Sequence, residues 1–360
     1  MKPQPGCGLD RRAFLATAAA AALAGVTSPI EARKAAVATA TADKPPREIL
    51  SQARSWAYQL QNYDFRALAA STADVLVVDY SINGDENNPI SESAVRKLQR
   101  KGDGTRRIVL AYLSIGEAEE YRFYWNKDWI ETDAKDAAAD APGAAAGVPV
   151  TQSPEPAKPA RWLSPTAPVW LGDENESWSG NFAVKYWEPG WQDLIVGTGG
   201  SSYLDRILAA GFDGVYLDRV DAFYEFSDER PTAADEMVAF VGRIAAEARR
   251  RRPGFLVVPQ NGEELLMRAG YVDIIDAIAK EDLLYGSPEQ GKPNSPAQVA
   301  NTNGWLSQAR RAGRPVLVIE YIDDRAEIAE ARRQLVNLGY VPTFGPRLLD
   351  GLSPESTPPP

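Results

Sequence analysis

Carboxylates are the reactive groups this chain supplies in quantity: 49 Asp and Glu stand against 39 Lys and Arg, with one Cys and no His. That inventory removes Ser-His-Asp and Cys-His catalysis, an imidazole base and any His-ligated zinc or iron site. Proton transfer is left to Asp, Glu, Lys, Tyr or water. The acids are not scattered. They follow short apolar runs: Asp79 closes 75–79, Glu117 and Glu119 follow 107–113, and Asp218 closes 214–218 with Asp221 just after. Gln260-Asn261-Gly262-Glu263-Glu264 ends 255–260, Lys280-Glu281-Asp282 ends 274–279, and Glu320-Tyr321 ends 316–321. Glycoside hydrolysis needs only such groups, one carboxylate attacking or positioning water while the other protonates the leaving oxygen. Aromatic residues near the same run ends, among them Tyr58, Tyr112, Tyr186, Trp187, Tyr216 and Tyr321, can stack on sugar faces and hydrogen-bond hydroxyls with their polar tips.

Something must bring these run ends together. The runs are rich in Val, Ile and Leu with little in/out alternation, as expected of strands buried on both faces; weaker candidates lie at 56–61, 182–187 and 340–344. Helical patterns fill 91–101, 203–210, 233–251, 263–269, 297–312 and 325–338. Gly102, Gly211, Gly270, Gly313 and Gly339 stand just past them, where a left-handed residue stops a helix. This alternation predicts an α/β fold, a (β/α)8 TIM barrel forming a single catalytic domain over 48–350, with the reactive residues at the C-terminal strand ends. No G-x-G-x-x-G or P-loop fingerprint is present, and Gly197-Thr198-Gly199-Gly200 reads as a turn before a helix.

Three segments fall outside the rhythm. Residues 1–42, with Arg11-Arg12 ahead of an Ala-rich apolar run, read as a twin-arginine export signal and flexible N-terminal segment, which places the mature protein in the periplasm or outside the cell. The Ala/Pro-rich stretch 134–160 reads as a disordered insertion after the third strand, and 351–360 as a disordered tail. The net charge of −10 disfavours nucleic acid or an anionic membrane as partner, since either needs a basic face; the basic run 249–252 suits a helix C-terminus. A monomer with no membrane span and no cofactor, acting on a polysaccharide, is expected.

Ala111-Tyr112-Leu113-Ser114-Ile115-Gly116-Glu117-Ala118-Glu119, the stretch Gly211-Phe212-Asp213-Gly214-Val215-Tyr216-Leu217-Asp218-Arg219-Val220-Asp221, then Pro259-Gln260-Asn261-Gly262-Glu263 and Glu281-Asp282-Leu283-Leu284-Tyr285 occur in the order and spacing of glycoside hydrolase family 114. The chain resembles that family's endo-α-1,4-polygalactosaminidases and their bacterial relatives over residues 56–345. The resemblance implies a TIM barrel acting on α-linked, partly deacetylated galactosamine polymers, with Asp218 as nucleophile and Glu263 as general acid/base, by retention. It further implies that Asp79, Glu117, Asp221, Asn261 and Glu281 line the subsites. From their places at strand ends, Tyr58, Gln59, Tyr112, Ser114, Tyr186, Trp187, Gln260, Glu320 and Tyr321 complete the expected substrate-binding set. Glu264 is a rival to Glu263. Two other readings compete: a barrel that binds polysaccharide without cleaving it, and a hydrolase holding a divalent metal through Glu117, Glu119, Asp218 and Asp221.

Overall fold

The computed structural model describes residues 44–82, 84–85, 87–132, 161–197 and 199–352. The segment 1–42, the insertion 134–160 and the tail beyond Leu352 lie outside them. Thirteen strands run in chain order: β1 (Trp56–Tyr58), β2 (Val75–Val78), β3 (Ile108–Ser114), β4 (Glu117–Glu119), β5 (Ile130–Thr132), β6 (Arg161–Leu163), β7 (Leu171–Glu174), β8 (Asn181–Val184), β9 (Gly214–Asp218), β10 (Leu256–Pro259), β11 (Ile278–Glu281), β12 (Val316–Glu320) and β13 (Val341–Phe344).

Eight of them are parallel and form the barrel. One arc is ordered β1-β2-β3-β9-β10 and the other β11-β12-β13. A parallel bridge between Gln260 and Ala279 joins β10 to β11, and at the other seam the Trp56 indole donates to the Val341 carbonyl at 2.9 Å. The lack of alternation in the sequence has a direct cause. Trp56, Tyr58, Val75, Val77, Ile108, Leu110, Tyr216, Leu256, Val258, Ala279, Leu317 and Ile319 fill the interior, while Ala57, Leu76, Val78, Val109, Val215, Val257 and Val318 pack outward against the helices. Both faces are therefore apolar, and a residue's parity along its strand selects the interior or the helix layer.

Acids that precede strands are structural. Asp74 accepts from Arg54 N at 2.7 Å, Asp213 from Val109 N at 2.9 Å and Asp276 from Val257 N at 2.8 Å. Lys101, Arg106 and Arg249 respectively neutralise them. At the same end Arg107, fully buried, donates to the carbonyls of Leu68, Ala69, Ser71, Leu98 and Arg100. It thereby closes the C-termini of the helices Phe65–Ala70 and Glu92–Leu98, whose last carbonyls lack partners within the helix.

The helices Tyr203–Ala210, Ala233–Arg251, Pro296–Arg311 and Arg325–Asn337 lie within a residue of expectation. Gly211, Gly270, Gly313 and Gly339 adopt positive φ, whereas Gly104 rather than Gly102 takes that role in its loop. Two expectations are corrected. Residues 182–187 supply no barrel strand: β8 runs antiparallel between β4 and β7 in a separate three-stranded sheet. Its alternating burial is what one solvated face produces. Residues 263–269 form only a 3-10 turn, Glu263–Met267, confined between the left-handed Gly262 and Gly270. The sheet β4-β8-β7 is an excursion between β3 and β9, and residues of β7, β8 and their turn line the barrel mouth.

Candidate active site

The interior parity of the strands carries past their ends. Continuing Val77, Leu110, Tyr216, Val258, Ala279 and Ile319 by two residues reaches Asp79, Tyr112, Asp218, Gln260, Glu281 and Tyr321, and all six line a cleft of about 970 Å³ at the C-terminal mouth. Three successive strands then turn sharply. Arg219, Asn261 and Asp282, the residues after Asp218, Gln260 and Glu281, have φ of 58°, 58° and 54°, a region non-glycine residues seldom occupy and one that concentrates at functional sites. The amides of Asn261 and Asp282 still bond to Ala279 O at 2.9 Å and Ile319 O at 3.1 Å, so the turn begins without losing the ladder. Arg219 N instead donates to its own neighbour, Asp218 Oδ1, at 2.7 Å.

Asp218 is clasped from three sides. Besides Arg219 N, its Oδ1 accepts from Gln260 Nε2 at 2.9 Å, and its Oδ2 accepts from the Tyr112 phenol at 2.8 Å. The same Gln260 nitrogen donates to Glu281 Oε2 at 2.7 Å. Glu281 Oε1 accepts from Tyr321 OH, and Asn261 braces the group by donating to Oε2 at 3.4 Å and accepting from the Glu281 amide at 3.2 Å. The facing oxygens of Asp218 and Glu281 are separated by no more than the two Gln260 contacts laid end to end. That limit applies to one oxygen of each group and is close to the about 5–5.5 Å of retaining carboxyl pairs.

Burial sets the charge states. It raises Asp218 above the ordinary carboxylate range, against the opposing Tyr112 and Arg219 hydrogen bonds. Burial and then the Asp218 charge push Glu281 up to about 7. Two close acids resist double ionisation, and the Arg219 charge, which opposes the rise of Asp218, favours a shared proton on Glu281. Burial also raises Tyr58, Tyr112, Tyr216 and Tyr321, so these phenols stay protonated and can donate. Farther along the cleft, burial pushes Glu117 up to about 7 and Asp221 to about 6, although Arg219 opposes both. Glu117 accepts from Asn175 at 2.6 Å and Asn181 at 3.3 Å and pairs with Arg219 at 3.1 Å.

Of the residues expected from sequence, Asp218, Tyr58, Asp79, Tyr112, Glu117, Asp221, Gln260, Asn261, Glu281 and Tyr321 line the cleft. The structure places seven elsewhere. Glu263 is not a lining residue; it is nearly buried and faces Lys280 Nζ at 3.4 Å. Its rival Glu264 is likewise outside the lining. Gln59 has outward parity and ties its own loop, donating to the carbonyls of Gln61 and Asn62 at 2.9 and 3.2 Å. Ser114, level with Asp218 in the β3–β9 ladder, is buried and is not a lining residue. The Tyr186 phenol donates to Ala233 O at 2.8 Å within the core, and Trp187 packs against Phe226 with Arg230 over its ring. Glu320, outward in parity and fully buried, accepts from the amides of Leu284 and Tyr285 at 2.8 and 3.2 Å; burial raises it to about 8. The tetrad weighed as a metal site is not assembled. Glu119 is held by Arg122 and Tyr121, and among the described residues no three Asp, Glu, Cys or His side chains converge as a cation site.

Other lining residues had little signal in the sequence. Asp173, Glu174, Asn175, Trp178 and Asn181 come from the β7–β8 hairpin, and Arg347 follows β13. The Trp178 ring was detectable as an aromatic in a polar turn, but its approach to the barrel mouth depends on β8 pairing with β4.

Comparison with known proteins places this geometry in a wider set. The model of Glycoside-hydrolase family GH114 matches residues 155–353. An uncharacterized protein of Methanocaldococcus jannaschii is 34% identical over 301 residues, covering 80% of this chain and 74% of that protein. Another, of Deinococcus radiodurans, is 34% identical over 317 residues, 86% of each chain. Among solved structures, the glycoside hydrolase domain of PelA from Pseudomonas aeruginosa aligns with a TM-score of 0.57 and 20% identity over 85% of this chain and 100% of that one. Aspergillus fumigatus Ega3, solved in complex with galactosamine, aligns with a TM-score of 0.53 and 16% identity over 83% and 94%. At these identities the two structures establish the shared fold.

Proposed function

Because the chain belongs to glycoside hydrolase family GH114, we propose that it hydrolyses an α-1,4-linked galactosamine polysaccharide by a retaining mechanism, with Asp218 as nucleophile and Glu281 as general acid/base. The observation that supports this reading is the shared Gln260 contact, one nitrogen within hydrogen-bond distance of an oxygen of each carboxyl group, a proximity that suits a double displacement. Glu281 takes the role the sequence suggested for Glu263, because Glu281 stands in the cleft beside Asp218 and Glu263 does not line it.

The steps follow from the partners. Asp218 Oδ1 is held by two donors and Oδ2 by one, which leaves Oδ2 the freer oxygen to attack the anomeric carbon. As that C–O bond forms, Glu281 gives its proton to the departing glycosidic oxygen, whose bond to the sugar breaks. Esterified Asp218 is neutral, so the repulsion that raised Glu281 is relieved. Glu281, left as a carboxylate and no longer forced toward the protonated form by an Asp218 charge, takes a proton from water, whose oxygen attacks the anomeric carbon; the ester bond breaks, the Asp218 carboxylate is restored and the sugar leaves with its configuration kept.

The lining supports a cationic sugar. Nine carboxyl groups, including Asp173 and Glu225 as well as those above, face the cleft against only Arg219 and Arg347 among its basic residues. A low-dielectric cleft with that balance attracts ammonium groups. The twin-arginine reading of residues 1–42 fits an enzyme that meets polymer outside the cytoplasm; among the described residues no helix is long and apolar enough to cross a membrane.

The test is sugar release from partly deacetylated poly-α-1,4-galactosamine, with the anomer followed by NMR. Wild type is expected to release the α-anomer first. Asp218→Asn and Glu281→Gln should each lose on the order of 10²–10⁴-fold in kcat, and with an activated aryl galactosaminide, whose leaving group needs no proton, azide should restore turnover to Glu281→Gln as a glycosyl azide. Polymer retention without release by wild type would support the binding-only barrel instead, and initial release of the β-anomer would overturn retention.

A further inference from the structure

Gln260 was expected among the substrate-binding residues, but its side chain is spent on the enzyme itself. It is almost fully buried at the C-terminal extension of β10, and its backbone bridges β10 to β11. Its Nε2 has two hydrogens, and each has an acceptor: Asp218 Oδ1 at 2.9 Å on β9 and Glu281 Oε2 at 2.7 Å on β11. The opposite amide orientation would turn a carbonyl oxygen toward two carboxyl groups. Among the described residues Gln260 Oε1 has no partner, so the amide keeps this orientation at the cost of an unpaired acceptor.

We propose that Gln260 is a positioning residue that pins the Asp218 and Glu281 carboxyl groups at the separation a retaining double displacement needs. The inference rests on the assignment of that pair. A neutral double donor suits the place. A cation between the carboxyl groups would form an ion pair and hold Glu281 ionised, whereas an apolar residue would leave both groups without this donor. The amide links the groups without neutralising either, and it sits on the middle one of the three strands that carry them.

Replacing Gln260 removes none of the other groups that act on the pair. Tyr112, Arg219, Glu119 and Tyr58 act on Asp218. Tyr321, Asp282 and Arg347 act on Glu281, and Tyr216 faces both acids.

The experiment compares wild type, Gln260→Met and Gln260→Asn in kcat, KM and pH–rate profile, together with carboxyl-carbon NMR titration of Asp218 and Glu281. Methionine keeps the length and removes both donors; asparagine keeps an amide one methylene short. Gln260→Met should lose about 10²-fold in kcat, as misplacing a reacting group by about 1 Å does, with KM within about 3-fold. Both ionised carboxylates lose a donor, so both limbs of the pH profile should move to higher pH. Gln260→Asn should lie between the two. A kcat loss with both limbs unmoved would mean that Gln260 only supports the fold, and unchanged kinetics would remove its role altogether. If wild type releases no sugar, the assignment of the pair fails, and the NMR titration still decides Gln260: unshifted Asp218 and Glu281 signals in both variants overturn the inference.

Discussion

The Tyr112 phenol lies 2.8 Å from Asp218 Oδ2, although the β3–β9 ladder pairs Asp218 with Ser114 and Tyr112 with Tyr216. The tyrosine reaches forward along the barrel interior, past its own register partner, to the oxygen with fewest donors. A phenol kept protonated by burial stabilises the carboxylate and must yield part of that bond as the sugar ester forms. Tyr112→Phe should therefore lower kcat about 10-fold, the worth of one hydrogen bond to a charged group. It should also shift the acidic limb upward, since Asp218 loses a donor that favours its ionised form. An acidic limb that does not move would show that Tyr112 acts by packing alone.

Glu281 must be protonated to act as the acid, so kcat/KM should fall as pH rises through about 7. Glu263→Gln should keep that limb and lose less than about 3-fold in kcat, well under the 10²–10⁴-fold expected of a proton-transfer residue. Part of the elevation comes from the Asp218 charge. In Asp218→Asn the Glu281 carboxyl should therefore titrate below 7 in a carbon NMR titration. A Glu281 signal indifferent to that substitution would break the electrostatic link on which the acid-to-base exchange depends.

Trp178 reaches the cleft from the turn between β7 and β8, the same turn that supplies Asn175 to Glu117. Stacking of a sugar on its ring should contribute about 0.5–1.5 kcal/mol. Trp178→Ala should raise KM up to about 10-fold while leaving kcat within about 2-fold, and more for long oligomers than for short ones. Equal effects on all lengths would place the ring outside the polymer's path.

At the opposite end of the barrel, Arg107 is a buried cation whose hydrogen bonds all go to backbone carbonyls, and burial lowers it to about 10. Arg107→Met should cost about 3–5 kcal/mol, because five carbonyls lose their donor in a site water does not reach. Chemical denaturation would read this directly, and a thermal melt should show a fall in Tm on the order of 10 °C. A loss under about 1 kcal/mol would mean that water or neighbouring amides replace the guanidinium.

Strand parity was legible in the sequence. Once 214–218, 255–260 and 274–281 are read as strands, a period of two aligns Tyr216 with Asp218, Val258 with Gln260 and Ala279 with Glu281, and it turns Gln59 and Glu320 outward. That rule alone would have favoured Glu281 over Glu263, whose position lies beyond the left-handed pair Asn261 and Gly262, where strand parity no longer applies. The segment 182–187 differs for the opposite reason: its alternation marks a sheet with one wet face and not one more strand buried on both faces.

Composition and periodicity determined the chemistry available and the kind of scaffold: no imidazole, many acids, and apolar runs whose two faces both need covering. These follow from side-chain identity and backbone period, which are local. Tertiary structure decided which acids meet. Asp218 and Glu281 lie on β9 and β11, separated by β10, and only the curvature of a closed sheet with Gln260 between them brings their oxygens within reach of one nitrogen. Their electrostatics were decided at the same level, since the elevation of Glu281 comes from burial and a neighbouring charge that exist only when the barrel is formed.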